Sequence, residues 1–207
     1  MKRSILTFLL AAICASASFA ATTRFIPDRS KISATVRDQS AYKALTDRFA
    51  SGQKLSAPEI ATVYYGTALQ PAFNPNQSYP DIARTYAAGD YATALSLIWS
   101  ALAKDPANLY LLFTGYGSAA SLGNQEAASL LQNRLLQVCD LIFSTGTGVS
   151  QDSPYLVVRP SDIDEFLIKY IQPKKINGRA KIGNLDACRV DIEGIDNDVI
   201  MYFSAFN

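Results

Sequence analysis

The sequence predicts an α+β fold, in which helical hairpins pack with a small C-terminal antiparallel β-sheet. Three observations predict it. Apolar residues recur at helical spacing from Ser40 to Ile142, punctuated by Gly, Pro, Asp and Asn. After Pro173 the apolar period switches to two, with Cys188, Val190 and Ile192 alternating with Arg189, Asp191 and Glu193. The turn formers from Gly194 to Asp198 then send the chain back through residues 199–204, which makes a hairpin.

The first residues read as a secretory signal, residues 1–20. Lys2 and Arg3 form a positive start, and residues 5–13 are apolar except for Thr7. Ser18-Phe19-Ala20 supplies small residues where a signal peptidase reads, so the expected cut lies between Ala20 and Ala21. That apolar run is far short of the roughly 20 residues a membrane-spanning helix needs. No later segment reaches that length, and the bulky Ile13 before Cys14 argues against a lipid anchor. Residues 21–38 are polar and aperiodic and are expected to be extended or flexible. Residues 39–207 are expected to form a single α+β domain, helical over 39–143 and mixed over 144–207.

Within that domain the elements follow in order. Ala41, Leu45 and Phe49 mark a helix over 40–50 that Gly52 stops. Ser56 and Glu59 form a capping box for a helix through Ile60, Val63 and Tyr64. Three prolines and two asparagines over 70–80 make a loop. A short helix follows over 81–88, closed by Gly89. Asp90 caps another with Ala94, Leu95, Ile98, Ala101 and Leu102 on one face. Asp105-Pro106 stops that helix and is expected to start the next, with Pro at its first position. Residues 109–121 are apolar almost all round and should be buried. Gly123-Asn124 begins a helix through Ile142, residues 144–148 form a loop, and residues 155–158 read as a strand. Ser161 is expected to cap a helix over 162–171 whose first-turn acids suit the helix dipole.

The run Gly89-Asp90-Tyr91, Ala94-Leu95, Ala101-Leu102, Asp105-Pro106 and Asn108 resembles the second half of a tetratricopeptide repeat. Gly89 permits a tight turn, and Ala94 and Ala101 are small where helices approach. About one and a half repeats are present. A self-sufficient solenoid needs about three, so the neighbouring pieces must close this one. The chain as a whole resembles a domain-of-unknown-function family of exported proteins from Gram-negative bacteria. The likeness rests on Val63-Tyr64-Tyr65-Gly66, the repeat-like helices, the 144–148 loop, Asp164-Glu165-Phe166 and the closing Ile200-Met201-Tyr202-Phe203. It implies this architecture and a periplasmic or secreted location, and it implies no activity.

Composition narrows the chemistry. Without Lys2 and Arg3 the chain carries 17 basic and 18 acidic side chains, so no basic footprint for nucleic acid is present. Lys174, Lys175, Arg179 and Lys181 are offset by Asp186, Asp191 and Glu193. The chain has no histidine, which removes imidazole bases, Ser-His-Asp and Cys-His nucleophiles and His-bearing zinc sites. Cys139 and Cys188, the two cysteines left after signal removal, fit either a disulfide or two buried small hydrophobes. Gly146-Thr147-Gly148 fits a phosphate cradle or, lacking a Walker lysine, a plain turn. Asp196-Asn197-Asp198 with Glu193 fits Ca²⁺ or a hairpin turn. Asp162, Asp164 and Glu165 fit acid and base roles in glycoside hydrolysis or simple helix capping. Tyr64, Tyr65, Tyr79, Tyr86, Tyr91, Tyr110 and Tyr116 fit helix packing or a binding groove. The expectation is a non-catalytic domain with no cofactor that binds a protein or peptide. A carboxylate-dependent envelope hydrolase is the alternative.

Overall fold

Side-chain caps set most helix boundaries in the computed structural model, which describes residues 24–206; the expected signal segment and the Ala20/Ala21 cleavage pair lie outside them. Helix α1 (Arg29–Arg37) starts where the Asp28 carboxylate accepts from the Lys31 N–H. This corrects the expected extended stretch before Asp38. Ile32 and Val36 lie one turn apart and bury that face against α3, which a period search seeking a longer apolar run does not register. Asp38 caps α2 (Gln39–Ala50), and Gly52 ends it at φ +78°. Helix α3 (Ala57–Gly66) begins with the Glu59 carboxylate accepting from the Ser56 N–H and hydroxyl. From Ile60 to Gly66 every residue of α3 is buried, so it runs through the middle of the molecule.

Four helices follow: α4 (Pro80–Ala87), α5 (Tyr91–Leu102), α6 (Leu109–Ser121) and α7 (Gln125–Ser144). Each packs on its neighbour in sequence. Asp90, Asn108 and Asn124 cap α5, α6 and α7 through their side-chain oxygens. Asn108 corrects the expectation for Pro106. The proline sits in the turn before α6, and Asp105 is released for another partner.

The C-terminal part holds β1 (Tyr155–Val157), α8 (Pro160–Glu165), a π-helical segment over Phe166–Ile171, β2 (Lys175–Ile182), β3 (Leu185–Asp191) and β4 (Val199–Ala205). The sheet order is β1-β4-β3-β2. Its three later strands pair antiparallel, whereas β1 pairs parallel with β4. The sheet is therefore mixed rather than antiparallel. The parallel pair needs a crossover, and α8 with the β2–β3 hairpin provides one. The β3–β4 hairpin is the one the alternating pattern predicts. Strand β2 escapes that pattern because it is an edge strand with mostly exposed residues.

One apolar cluster runs from Ile32 on α1 to Phe203 on β4. The sheet joins the helices through aromatic rings. Tyr155 meets Phe166 at 5.3 Å and Phe203 at 5.7 Å, and Tyr65 meets Phe206 at 4.6 Å. Among the described residues no helix is long and apolar enough to cross a membrane.

Candidate functional site

Tyr110, Phe113, Thr114 and Gly117 recur at helical spacing and form one stripe of α6. That stripe is the floor of a cleft of about 720 Å³. Ala83 and Tyr86 of α4 close one side, and Leu135, Leu136 and Cys139 of α7 close another. The third wall is Glu165 followed by Ile168, Lys169 and Tyr170 of the π-helical segment. A smaller recess of about 290 Å³, between Tyr79, Asn108 and Ser161, shares Ala83, Tyr110 and Glu165 with it. The two make one groove with Glu165 at its waist. Its size falls in the usual range for ligand pockets, and its lining is mainly apolar and aromatic with a few polar groups.

The wall of this groove is where the backbone departs from regular structure. After Glu165 the helix widens to π spacing and ends at Gln172, the one non-glycine residue with positive φ (56°) among the described residues. The widening buries Phe166, Leu167 and Ile171 while Ile168 stays exposed beside the cleft. π-Bulges and strained residues of this kind concentrate at functional sites. Glu165 itself is half-buried and makes no hydrogen bond or ion pair among the described residues. Burial raises its pKa; the Lys169 charge opposes this, and Asp162 and Asp164 add to it.

A buried polar centre lies behind the recess. The Tyr64 hydroxyl donates to Asp162 Oδ2 at 2.7 Å and accepts from the Val158 N–H at 3.1 Å. The same Oδ2 accepts from the Arg159 N–H at 3.0 Å. Arg159 Nη2 meets Asp105 Oδ2 at 2.6 Å, and Asn108 Nδ2 donates to that oxygen at 2.9 Å. Phe73 covers the guanidinium, with its ring centre 5.1 Å away. Burial raises the Asp162 pKa to about 6, against the opposing pull of Arg159 and the Tyr64 hydrogen bond. Burial works against the Arg159 charge, yet Asp105 and Asp162 outweigh it and raise its pKa. Tyr64 is held far above the normal phenol range by burial and the adjacent Asp162. These contacts tie α3, the turn before α6 and the start of α8 together.

A family model, Domain of unknown function (DUF4919), matches residues 30–206. The chain belongs to this family. No curated protein and no solved structure matches it. The DUF4919 match runs from α1 to the end of β4, so it contains both the groove and the polar centre.

Within this DUF4919 domain the residues singled out by sequence scatter. Asp162, Asp164 and Glu165 go three ways. Asp162 is sealed in the core, Asp164 faces Arg179 at 3.2 Å on the surface, and Glu165 enters the groove. The cap of α8 is Arg159 with Pro160 as the first helical residue, not Ser161. Thr147 and Gly148 both donate their N–H groups to the Ser153 carbonyl, so the 146–148 loop is an occupied turn rather than a phosphate cradle. An added Cβ at Gly148 would run into the Tyr155 ring, which explains that glycine by close packing. Asp198 accepts from Asn177 at 2.9 Å, and among the described residues no group of three or more His, Cys, Asp or Glu could hold a metal ion. Cys139 lies at the groove and Cys188 on β3; both are buried free thiols. Of the tyrosines, Tyr64 and Tyr65 are core, Tyr86, Tyr110 and Tyr116 line the cleft, and Tyr79 lines the recess. The sequence reading missed Arg159, Tyr170 and the groove itself. The stripe on α6 carried a signal, but an almost wholly apolar helix hides which of its faces is left uncovered.

Proposed function

We propose that this chain is an exported, non-catalytic binding domain whose tyrosine-lined groove holds a peptide segment. One observation carries the reading: an open, two-compartment groove walled by tyrosines from three separate elements. Tyrosine offers large contact area at low entropic cost, and its hydroxyl tolerates a wet rim. Leu136 and Ile168 line the cleft and are exposed to solvent, so its apolar wall is open along that side, as suits a chain laid along it. The tetratricopeptide-like run from Gly89 to Asn108 supports a helical layer used for binding. Lys2, Arg3, the apolar run and the small residues before Ala21 support export. A first residue of Ala21 in the protein purified from the envelope or medium is expected, and an intact Met1 would oppose that part.

The hydrolase alternative needs two facing carboxylates about 5 to 9.5 Å apart. Among the described residues that line the groove, Glu165 is the single carboxylate. The test is selection of a random linear peptide library on the full chain, with counter-selection on Ala83→Trp. Ala83 is exposed and borders both compartments, so the indole fills the waist without touching the core. Enriched peptides are expected to bind the parent and lose at least tenfold on the variant. Peptides that bind both equally, or no enrichment at all, would overturn the proposal.

A further inference from the structure

We infer that the polar centre behind the recess is an internal hydration site, in which ordered water bridges Arg159, Asp105 and Gln70 and from which ions of either sign are excluded. The site stands apart from the groove and from whatever the groove binds.

Hydrogen-bond accounting leads to it. A buried donor or acceptor left unmet is costly, so nearly all such atoms find a partner in protein or water. Five buried side-chain atoms among the described residues are met by no protein group, and four of them belong here: Arg159 Nε and Nη1, Asp105 Oδ1 and Gln70 Nε2. Arg159 and Asp105 are the two halves of one ion pair, which joins Nη2 to Oδ2 at 2.6 Å and leaves the other atoms over. The Phe73 ring covers the guanidinium, and the Phe73 N–H donates to the Gln70 carbonyl at 3.0 Å, so Gln70 lies one turn from that cover. The Tyr42 phenol responds to the same group of side chains. Burial raises its pKa, Asp105 adds to the rise, and Thr67, Gln70 and Arg159 oppose it.

The signs of these atoms choose the occupant. Three are donors and one is an acceptor. An anion would suit the guanidinium and the amide but would face the Asp105 carboxylate, with the Asp162 charge also acting on Arg159. A cation would suit Asp105 Oδ1 and face the guanidinium. Either ion would shed its own hydration to enter, which costs far more than burying a neutral molecule. Water accepts from N–H groups and donates to a carboxylate within one site. A buried water makes about three hydrogen bonds, so roughly one or two molecules serve all four atoms. Through that water the turn from Gln70 to Phe73 is held to the turn before α6 and the start of α8.

The test is a crystal structure of the full chain at a resolution that shows ordered water, with a second crystal soaked in bromide. Density is expected about 2.7 to 3.2 Å from Asp105 Oδ1 and from Arg159 Nε or Nη1, with no anomalous signal at that point. A bromide peak there would make it an anion site and overturn the inference. A Gln70 amide turned onto Asp105, with no density between the side chains, would overturn it as well. In solution, the Arg159 guanidinium N–H resonances, identified by their loss in Arg159→Lys, are expected to show cross-relaxation to water with the sign of a long-lived bound molecule. Guanidinium resonances that show no such transfer in the parent would also sink the assignment, whatever the crystal shows.

Discussion

Tyr64 and Tyr110 lie on either side of the recess wall and use the same side chain for opposite ends. Tyr64 is wholly buried, and its hydroxyl holds together a carboxylate and a backbone N–H. Tyr110 is half-exposed, is stacked against Tyr79 at 6.2 Å, and borders the groove. The polar centre around Tyr64 joins three elements through its hydrogen bonds and the Arg159–Asp105 ion pair. The groove around Tyr110 keeps an unpaired carboxylate and an irregular wall. The difference teaches that the same side chain ties elements together where its hydroxyl is sealed in the core and lines an open surface where it is not. Changes in the first region should cost stability and spare binding; changes in the second should do the reverse.

The largest effect is expected from Arg159→Met. The substitution keeps the volume that packs on Phe73 but leaves the carboxylate of Asp105 buried without its cation, and Asp162 without a nearby one. Breaking one side of a buried pair typically costs about 3 to 5 kcal/mol. Urea denaturation is expected to show a loss of about that size. A loss below about 1 kcal/mol would mean the centre is not what holds α8 to α3.

Why this centre was invisible in the sequence is a matter of range. Caps are local, so Asp38, Ser56 with Glu59, Asp90, Asn108 and Asn124 can be read or nearly read from short windows. The β3–β4 hairpin is equally legible, since alternation and a turn are enough. Asp162 looks like another local first-turn acid. Its burial depends on Tyr64, 98 residues away, and that of Arg159 on Asp105, 54 residues away. Strand β1 itself is legible over 155–158, but its pairing is not, for the same reason: its parallel partner lies beyond a crossover that no local pattern announces. The π segment fails differently. Glu165 to Ile171 reads as ordinary helix, and nothing in its apolar spacing announces the widening.

The next effect is a dependence on pH. Asp162 has an ordinary value of 3.8 when unfolded and about 6 when folded. Between those values the folded state holds the proton more tightly, so stability from this group is full below about pH 4 and falls as pH rises through about 6. The span amounts to about 3 kcal/mol. Glu59 works the other way, because the Ser56 hydrogen bonds and Arg48 hold it down to about 2. The clean measurement is therefore the difference between Asp162→Asn and the parent across that window. Asparagine can still accept from the Tyr64 hydroxyl. The parent is expected to lose stability relative to the variant as pH rises from about 4 to about 6, and parallel curves would refute the assignment.

The smallest expected effect belongs to the groove, and it decides the comparison. Ala83→Trp and Glu165→Gln should each change stability by about 0.5 kcal/mol or less, as surface substitutions away from caps and buried networks do. Ala83 is exposed, and Glu165 supports nothing else in the fold among the described residues. Glu165→Gln should even gain slightly, because burial already works against its charge. A variant with unchanged stability and lost peptide binding separates the two regions as the geometry does. If Glu165→Gln instead unfolded the domain as readily as Arg159→Met, its carboxylate would belong to the scaffold. The groove would then be a by-product of packing rather than a surface kept for binding.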